Sequence, residues 1–282
     1  MYICTFLKNK KIQSGIKKEN RIIPFEAFNK KSEIEIPCSL EKMLKENKFD
    51  VFKNIFNMSL ADLFSIPLSE ITYCAPYTNP QKIIGVGLNF SDHARNLEAK
   101  QPQQEPASFM KPATAIIGPG DTVKLPAQSS YVTGEAELGV IIRKECKNIS
   151  VKNVPNVILG YTTIIDMTAV DILKRNPRFL TRAKSFDTFF SFGPWIITPD
   201  EVKNIEMIKI ETLLNNSQYC SNYIKNMNFS PYQLVSFFSQ DMTLKPGDII
   251  SCGTPGAATL HPDDTIGCFI NEIGKLENKV SK

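Results

Sequence analysis

Apolar residues in this chain recur in short runs, many alternating with polar ones and bounded by Gly, Pro and Asn, a pattern that predicts a strand-rich fold. Strands are predicted at 2–7, 82–86, 115–117, 122–125, 137–143, 157–165, 194–197, 207–213, 248–252 and 266–270. Helical spacing appears at Leu40 to Phe56, at Ser59 to Phe64 and at about 230–239, with Ser39 and Ser59 as N-caps. A further helix is expected to start at Asp92 with Ser91 as its cap, fading before the Gln/Pro-rich stretch Gln101 to Pro106, which should be mobile. The proline-flanked segment Cys74 to Pro80 divides a small N-terminal domain, 1–75, from a larger one, 76–282.

One strand breaks the apolar pattern in an informative way. In Gly134-Glu135-Ala136-Glu137-Leu138-Gly139-Val140-Ile141-Ile142 the side chains alternate, so Ala136, Leu138 and Val140 share one face and the two glutamates share the other. Two carboxylates side by side on a buried strand repel unless a cation lies between them. The next apolar run, Val157 to Ile165, ends in Asp166, a third acid placed to join them at the strand end. No Cys or His pair lies near, and an all-oxygen set suits Mg2+, Mn2+ or Ca2+ better than Zn2+. Three solvated acids at strand edges is the alternative that spacing leaves open.

Composition narrows the classes. At 282 residues and 42% hydrophobic content the chain can build a substantial core. The net charge of +4 is modest. Its local excess at Lys8, Lys10, Lys11, Lys17, Lys18 and Arg21 reads as the solvated face of a hairpin, since no aromatic residues interleave the charges as a nucleic-acid platform requires. The seven cysteines contain no CxxC pair and no zinc spacing, so reduced thiols and a cytoplasmic protein are expected. The first residues lack the basic region of a signal peptide, and the longest apolar stretch, about 154–165, falls short of a membrane span.

Gly85-Val86-Gly87-Leu88-Asn89-Phe90 fails as a dinucleotide fingerprint because Phe90 stands where the third glycine belongs and no acid closes a second strand. GxSxG and HExxH are absent, and His93 and His261 are the only histidines, which excludes a histidine-rich metal site.

Six separated motifs, in order, resemble the fumarylacetoacetate hydrolase family: GVGLNFSDH at 85–93, FMKPATAIIGPGD at 109–121, GEAELGVII at 134–142, GYTTIIDMTAVD at 160–171, AKSFDT at 183–188 and LKPGDIISCGTP at 244–255. The resemblance implies an α+β, β-rich fold of mixed β-sheets rolled into a sandwich-like barrel, a homodimer, and Mg2+ or Mn2+ held by Glu135, Glu137 and Asp166. It implies a small 2-oxo or β-diketo acid as substrate, with neither nucleic acid nor membrane as partner. The metal would polarise a carbonyl and hold the enolate formed when a bond to the neighbouring carbon breaks. Lys184 matches the family lysine beside the metal and Lys111 a second one, for which a structural ion pair is the alternative. His93 corresponds to a proton carrier, Asn89 to the loop leading into the lid, and Thr254 with Gly253 to the turn that holds the substrate carboxylate.

The family pattern also breaks. Where hydrolases of the family pair the histidine with a glutamate three residues later, this chain has Asn96, and an amide takes no proton at neutral pH. Glu98 is the nearest acid, yet five helical residues place it about 140° around from His93. Phe90 replaces a common tyrosine, Val170 an arginine and Cys220 a glutamine. A nucleophilic role for Cys220 is disfavoured, because no histidine is positioned by sequence to activate it. The leading expectation is a metal-dependent hydrolase cleaving a C–C bond in an acylpyruvate-like acid. An isomerase, tautomerase or decarboxylase of a 2-oxo acid is the alternative that Asn96 favours, and a catalytically silent relative is the third.

Overall fold

A computed structural model describes residues 1–32, 34–57 and 63–282. Its frame is three long antiparallel strands, Val132–Ile142, Ile158–Ala169 and Phe190–Ile197. Tyr2–Lys8 pairs with the last of these, and the sheet continues through Lys11–Lys18, Arg21–Pro24 and Ile66–Pro67. On the other side Val132–Ile142 pairs with Ile249–Ser251, followed by Ile83–Gly87 and Ala107–Lys111. Among the described residues this makes a 13-stranded sheet whose path does not close on itself. A second sheet of five strands runs in the order Ser217–Tyr223, Lys209–Leu214, Thr265–Ile270, Gly274–Ser281, Thr122–Lys124. Both sheets contain parallel and antiparallel pairs, and they stack as a sandwich: the β-rich α+β fold expected, open rather than a closed barrel.

Alternation along the central strands explains the two cores. Ala136, Leu138 and Val140, with Tyr161 and Ile165 from the neighbouring strand, bury against Ile210, Ile266 and Leu276 of the smaller sheet. The helix Pro231–Asp241 closes that core with Leu234, Val235 and Phe238. It starts cleanly, because Ser230 and Gln233 each satisfy the other's backbone N–H in a capping box. The opposite face of the same strands carries Ile141, Ile164, Phe190 and Phe192, which pack against Phe25, Phe28, Leu40 and Phe52. The boundary expected at 75/76 therefore falls within one continuous sheet and one shared core.

Several boundaries differ from expectation. The long helix expected over Leu40 to Phe56 is two helices, Leu40–Lys45 and Phe49–Asn57, separated at Asn47, whose φ of 52° is left-handed. Ser39 caps the first of them by accepting from Lys42 N–H at 3.3 Å. The helix expected at Ser59 to Phe64, with its cap, lies largely outside the described residues. Ser91 is the first residue of helix Ser91–Asn96 rather than its cap, and Phe90, held at an isolated bridge to Met227, occupies that position. Among the described residues no helix is long and apolar enough to cross a membrane.

Candidate active site and metal centre

The second central strand does not end at Asp166. It runs on to Ala169, because Met167, Thr168 and Ala169 keep pairing with Gly134, Thr133 and Val132. Asp166 thus lies inside the ladder, directly opposite Glu135, with Thr168 opposite Thr133 on the same face. Glu137 projects from that face two residues further along. Each of the three acids offers one oxygen within 4.8 Å of the others, and all three are buried.

Two lysines reach the trio. Lys111 ends strand Ala107–Lys111, where Phe109 and Lys111 point inward and Met110 outward. Its Nζ donates to Asp166 Oδ1 and, at 3.2 Å, to the carbonyl of Met167. Lys184 closes the short helix Leu180–Lys184 and donates to Asp166 Oδ2 at 2.6 Å and Glu135 Oε2 at 2.9 Å. Its ammonium lies 4.6 Å from the Phe109 ring centre, a cation–π contact. That ring fits only because its partner in register is Gly85: a Cβ there would come within 2.2 Å of it.

Hydroxyls and backbone complete the set. Thr168 Oγ1 donates to Glu135 Oε1 at 2.9 Å, with Thr133 at 3.4 Å. Ser251 Oγ and, at 2.8 Å, the N–H of Gly253 both donate to Glu137 Oε2. Gly253 adopts φ 94°, and a Cβ on it would lie 2.9 Å from Asn89 Cβ and 3.0 Å from Val86 O, so only glycine fits. Asn89 fixes this loop: its amide donates to Cys252 O at 2.7 Å and Phe229 O at 3.0 Å and accepts from Phe229 N–H at 2.9 Å. The Thr254 hydroxyl is engaged locally, donating to Gly256 O at 2.9 Å.

Three carboxylates and two ammoniums, all buried, leave one uncompensated negative charge in the site. Burial, helped by repulsion from Asp166 and Glu135, pushes Glu137 up to about 8. Burial alone would raise Glu135 too, but the charges of Lys184 and His93 and the bonds from Lys184 and Thr168 overcome it and hold Glu135 below the usual range. Lys111 is pulled down to about 8 by burial, with Asp166 only partly compensating, whereas Lys184, between two acids, is raised despite its burial. His93 is buried on the helix Ser91–Asn96, and loss of solvation, with Lys184 nearby, holds it below the ordinary histidine range although Glu135 pulls the other way.

The residues fit a hard dication. Three buried carboxylates, each offering an oxygen within 4.8 Å of the others, form the all-oxygen donor set that Mg2+ or Mn2+ takes. A bound dication would also turn the single excess negative charge into a single positive one, a site suited to an anionic substrate.

A model of the fumarylacetoacetate hydrolase C-terminal domain matches residues 82–281, which include every side chain of this site. The chain belongs to the fumarylacetoacetate hydrolase family. It is 41% identical over 222 residues, 78% of this chain and 86% of the other, to an uncharacterized protein of Archaeoglobus fulgidus. It is 36% identical to a mitochondrial oxaloacetate tautomerase of Rattus norvegicus over 228 residues, 78% of this chain and 72% of the relative. The crystal structure of maleylpyruvate hydrolase from Sphingobium sp. SYK-6 in complex with manganese(II) and pyruvate superposes with a TM-score of 0.82 at 26% identity, covering 100% of this chain and 99% of that one.

Within the family frame, the departures acquire positions. Asn96 is exposed at the last turn of its helix, and Glu98 is exposed beyond the helix end at φ 52°, so neither sets a carboxylate against His93. Phe90 is fully buried in the larger core. Burial raises the Cys220 thiol, which leaves it a poor nucleophile. Thr133, Thr168 and Ser251 are functional neighbours that sequence reading missed. The two threonines were within reach of it: each lies two residues from an acid on the same strand and therefore on the same face.

Proposed function

We propose that this protein is a divalent-metal-dependent keto–enol tautomerase acting on a short 2-oxo dicarboxylic acid of the oxaloacetate type. One observation carries the choice within the family: His93 is buried and, among the described residues, no carboxylate is hydrogen-bonded to it, position 96 being an exposed asparagine. Hydrolysis of a C–C bond needs a water activated for attack on a carbonyl. Tautomerisation needs only that a proton leave the carbon beside the keto group and another arrive on the keto oxygen, with no net change in composition. A lone neutral imidazole suffices to take or return that carbon-bound proton.

Glu135, Glu137 and Asp166 would hold the Mg2+ or Mn2+. Bound there, the ion would supply Lewis-acid polarisation of the keto group and stabilise negative charge on its oxygen. Lys184, kept protonated between Glu135 and Asp166, adds a fixed positive charge against the same build-up. The hydroxyl and N–H groups on the carboxylates hold the acids in place, so little reorganisation accompanies the proton transfer. The 36% identity to an oxaloacetate tautomerase supports the same reading.

The test is to follow enol absorbance of oxaloacetate, with Mg2+ or Mn2+ and with chelator, beside a parallel panel of acylpyruvates monitored by NMR. Metal-dependent acceleration of enol–keto exchange with intact acylpyruvates is the expected result. Release of pyruvate and a free acid from an acylpyruvate, with no accelerated exchange, would replace this reading with a hydrolase.

A further inference from the structure

Across the carboxylate trio the hydrogen bonds are unevenly distributed. Asp166 has a lysine on each oxygen, and Glu135 has Thr168 on one and Lys184 on the other. Glu137 differs: both of its donors, Ser251 Oγ and Gly253 N–H, converge on Oε2, and among the described residues no donor lies on Oε1. A carboxylate oxygen has two in-plane lone pairs, so two donors saturate Oε2 and leave Oε1 as the free ligating atom. Ser251 is placed for this by register: it ends strand Ile249–Ser251 opposite Gly139, on the same face as Glu137, and it is buried.

We propose that Ser251 is a positioning residue that restricts Glu137 to a single ligating oxygen and thereby biases the centre toward six-coordinate Mg2+ or Mn2+ over Ca2+. The inference rests on the metal-centre part of the functional reading. Its chemistry is the contrast between ions: Mg2+ demands near-octahedral geometry, whereas Ca2+ takes six to eight oxygens and readily accepts both oxygens of one carboxylate. Removing the hydroxyl leaves only Gly253 on Oε2, frees one lone pair and allows the carboxylate to turn both oxygens inward. The Gly253 bond alone engages one lone pair and leaves the carboxylate free to turn about it.

The experiment titrates Mn2+ and Ca2+ separately into chelator-stripped full-length wild type, Ser251→Ala and Ser251→Thr by calorimetry, with thermal melts of each. Ser251→Ala is expected to lose Mn2+ affinity by about 10- to 100-fold, the usual effect of deleting a group that orients a ligand. Its Ca2+ affinity should change far less, so the Mn2+/Ca2+ preference collapses, and Ser251→Thr, which keeps the hydroxyl, should restore it. Equal factors for both ions in Ser251→Ala, or no change in either, would overturn the proposal, as would a threonine variant resembling alanine while melting like wild type. Wild type that takes up neither ion would overturn this proposal and the metal centre together. Wild type with the expected ion preferences but no enol–keto exchange would leave Ser251 supported and remove only the tautomerase assignment.

Discussion

Burial holds the pKa of His93 below the ordinary histidine value, and the pH dependence of the reaction should report it. The imidazole must be unprotonated to act as base, so kcat/KM should fall as pH drops through an apparent pKa below the ordinary histidine value. His93→Gln should lose about 10²- to 10⁴-fold in rate together with that acid limb, measured by pH–rate profiles on the metal-loaded enzyme. Asn96 lies three residues on in the same helix, near enough for a carboxylate there to pair with the imidazole. Asn96→Glu should therefore gain cleavage of an acylpyruvate that wild type leaves intact, scored by pyruvate release; no gain would mean that something other than the missing acid sets the reaction. Legibility at this scale followed residue chemistry. Glu135 and Glu137 announce themselves because charged pairs do not belong on buried strands, whereas Ser251 and Thr168 do not, since hydroxyls are ordinary in strands and only the register reveals which carboxylate they meet.

Elements deliver those side chains, and the turn after Ile249–Ser251 is the most constrained of them. Gly253 must be left-handed for its N–H to meet Glu137, and Asn89 pins the neighbouring carbonyl. Gly253→Ala should destabilise the protein by about 1–3 kcal/mol through backbone strain and contact with Asn89, and weaken Mn2+ binding as well. Denaturant unfolding and calorimetry check the two effects separately. Each of the ten strands expected from the sequence overlaps an observed one, because apolar runs mark buried strands, whereas more polar strands such as Ser217–Tyr223 and Gly274–Ser281 escaped it. It ended the strand at Asp166 because an acid looks like a terminus; pairing through Ala169 shows that a charged residue with partners continues a ladder as well as an apolar one. It merged the helices at 40–57 because helical periodicity persists across Asn47, where one left-handed residue changes direction.

For the whole molecule, the relevant fact is that the N-terminal strands and helices share a sheet and a core with the catalytic strands. Tyr2–Lys8 hydrogen-bonds to Phe190–Ile197, and Phe25, Phe28 and Phe52 cover Phe190, Phe192 and Ile164. Deleting residues 1–75 should therefore leave a chain without cooperative unfolding, whereas the intact protein should melt in one transition by circular dichroism. A truncated chain that melts sharply and binds Mn2+ normally would contradict this. Sequence reading separated the two parts at a genuine proline-rich turn, yet a turn of that kind marks a change of direction and carries no information about which surfaces later meet.

The ladder between Val132–Ile142 and Ile158–Ala169 holds its register without interruption from Val132 through Ile141, and its irregularity falls between Ile141 and Ile142, at the end remote from the acids. Changes of length in the connection that joins these two strands can be absorbed at that flaw. A longer or shorter connecting loop can thus be accommodated while the facing carboxylates stay in step, so the geometry of the acids is insulated from that end of the hairpin.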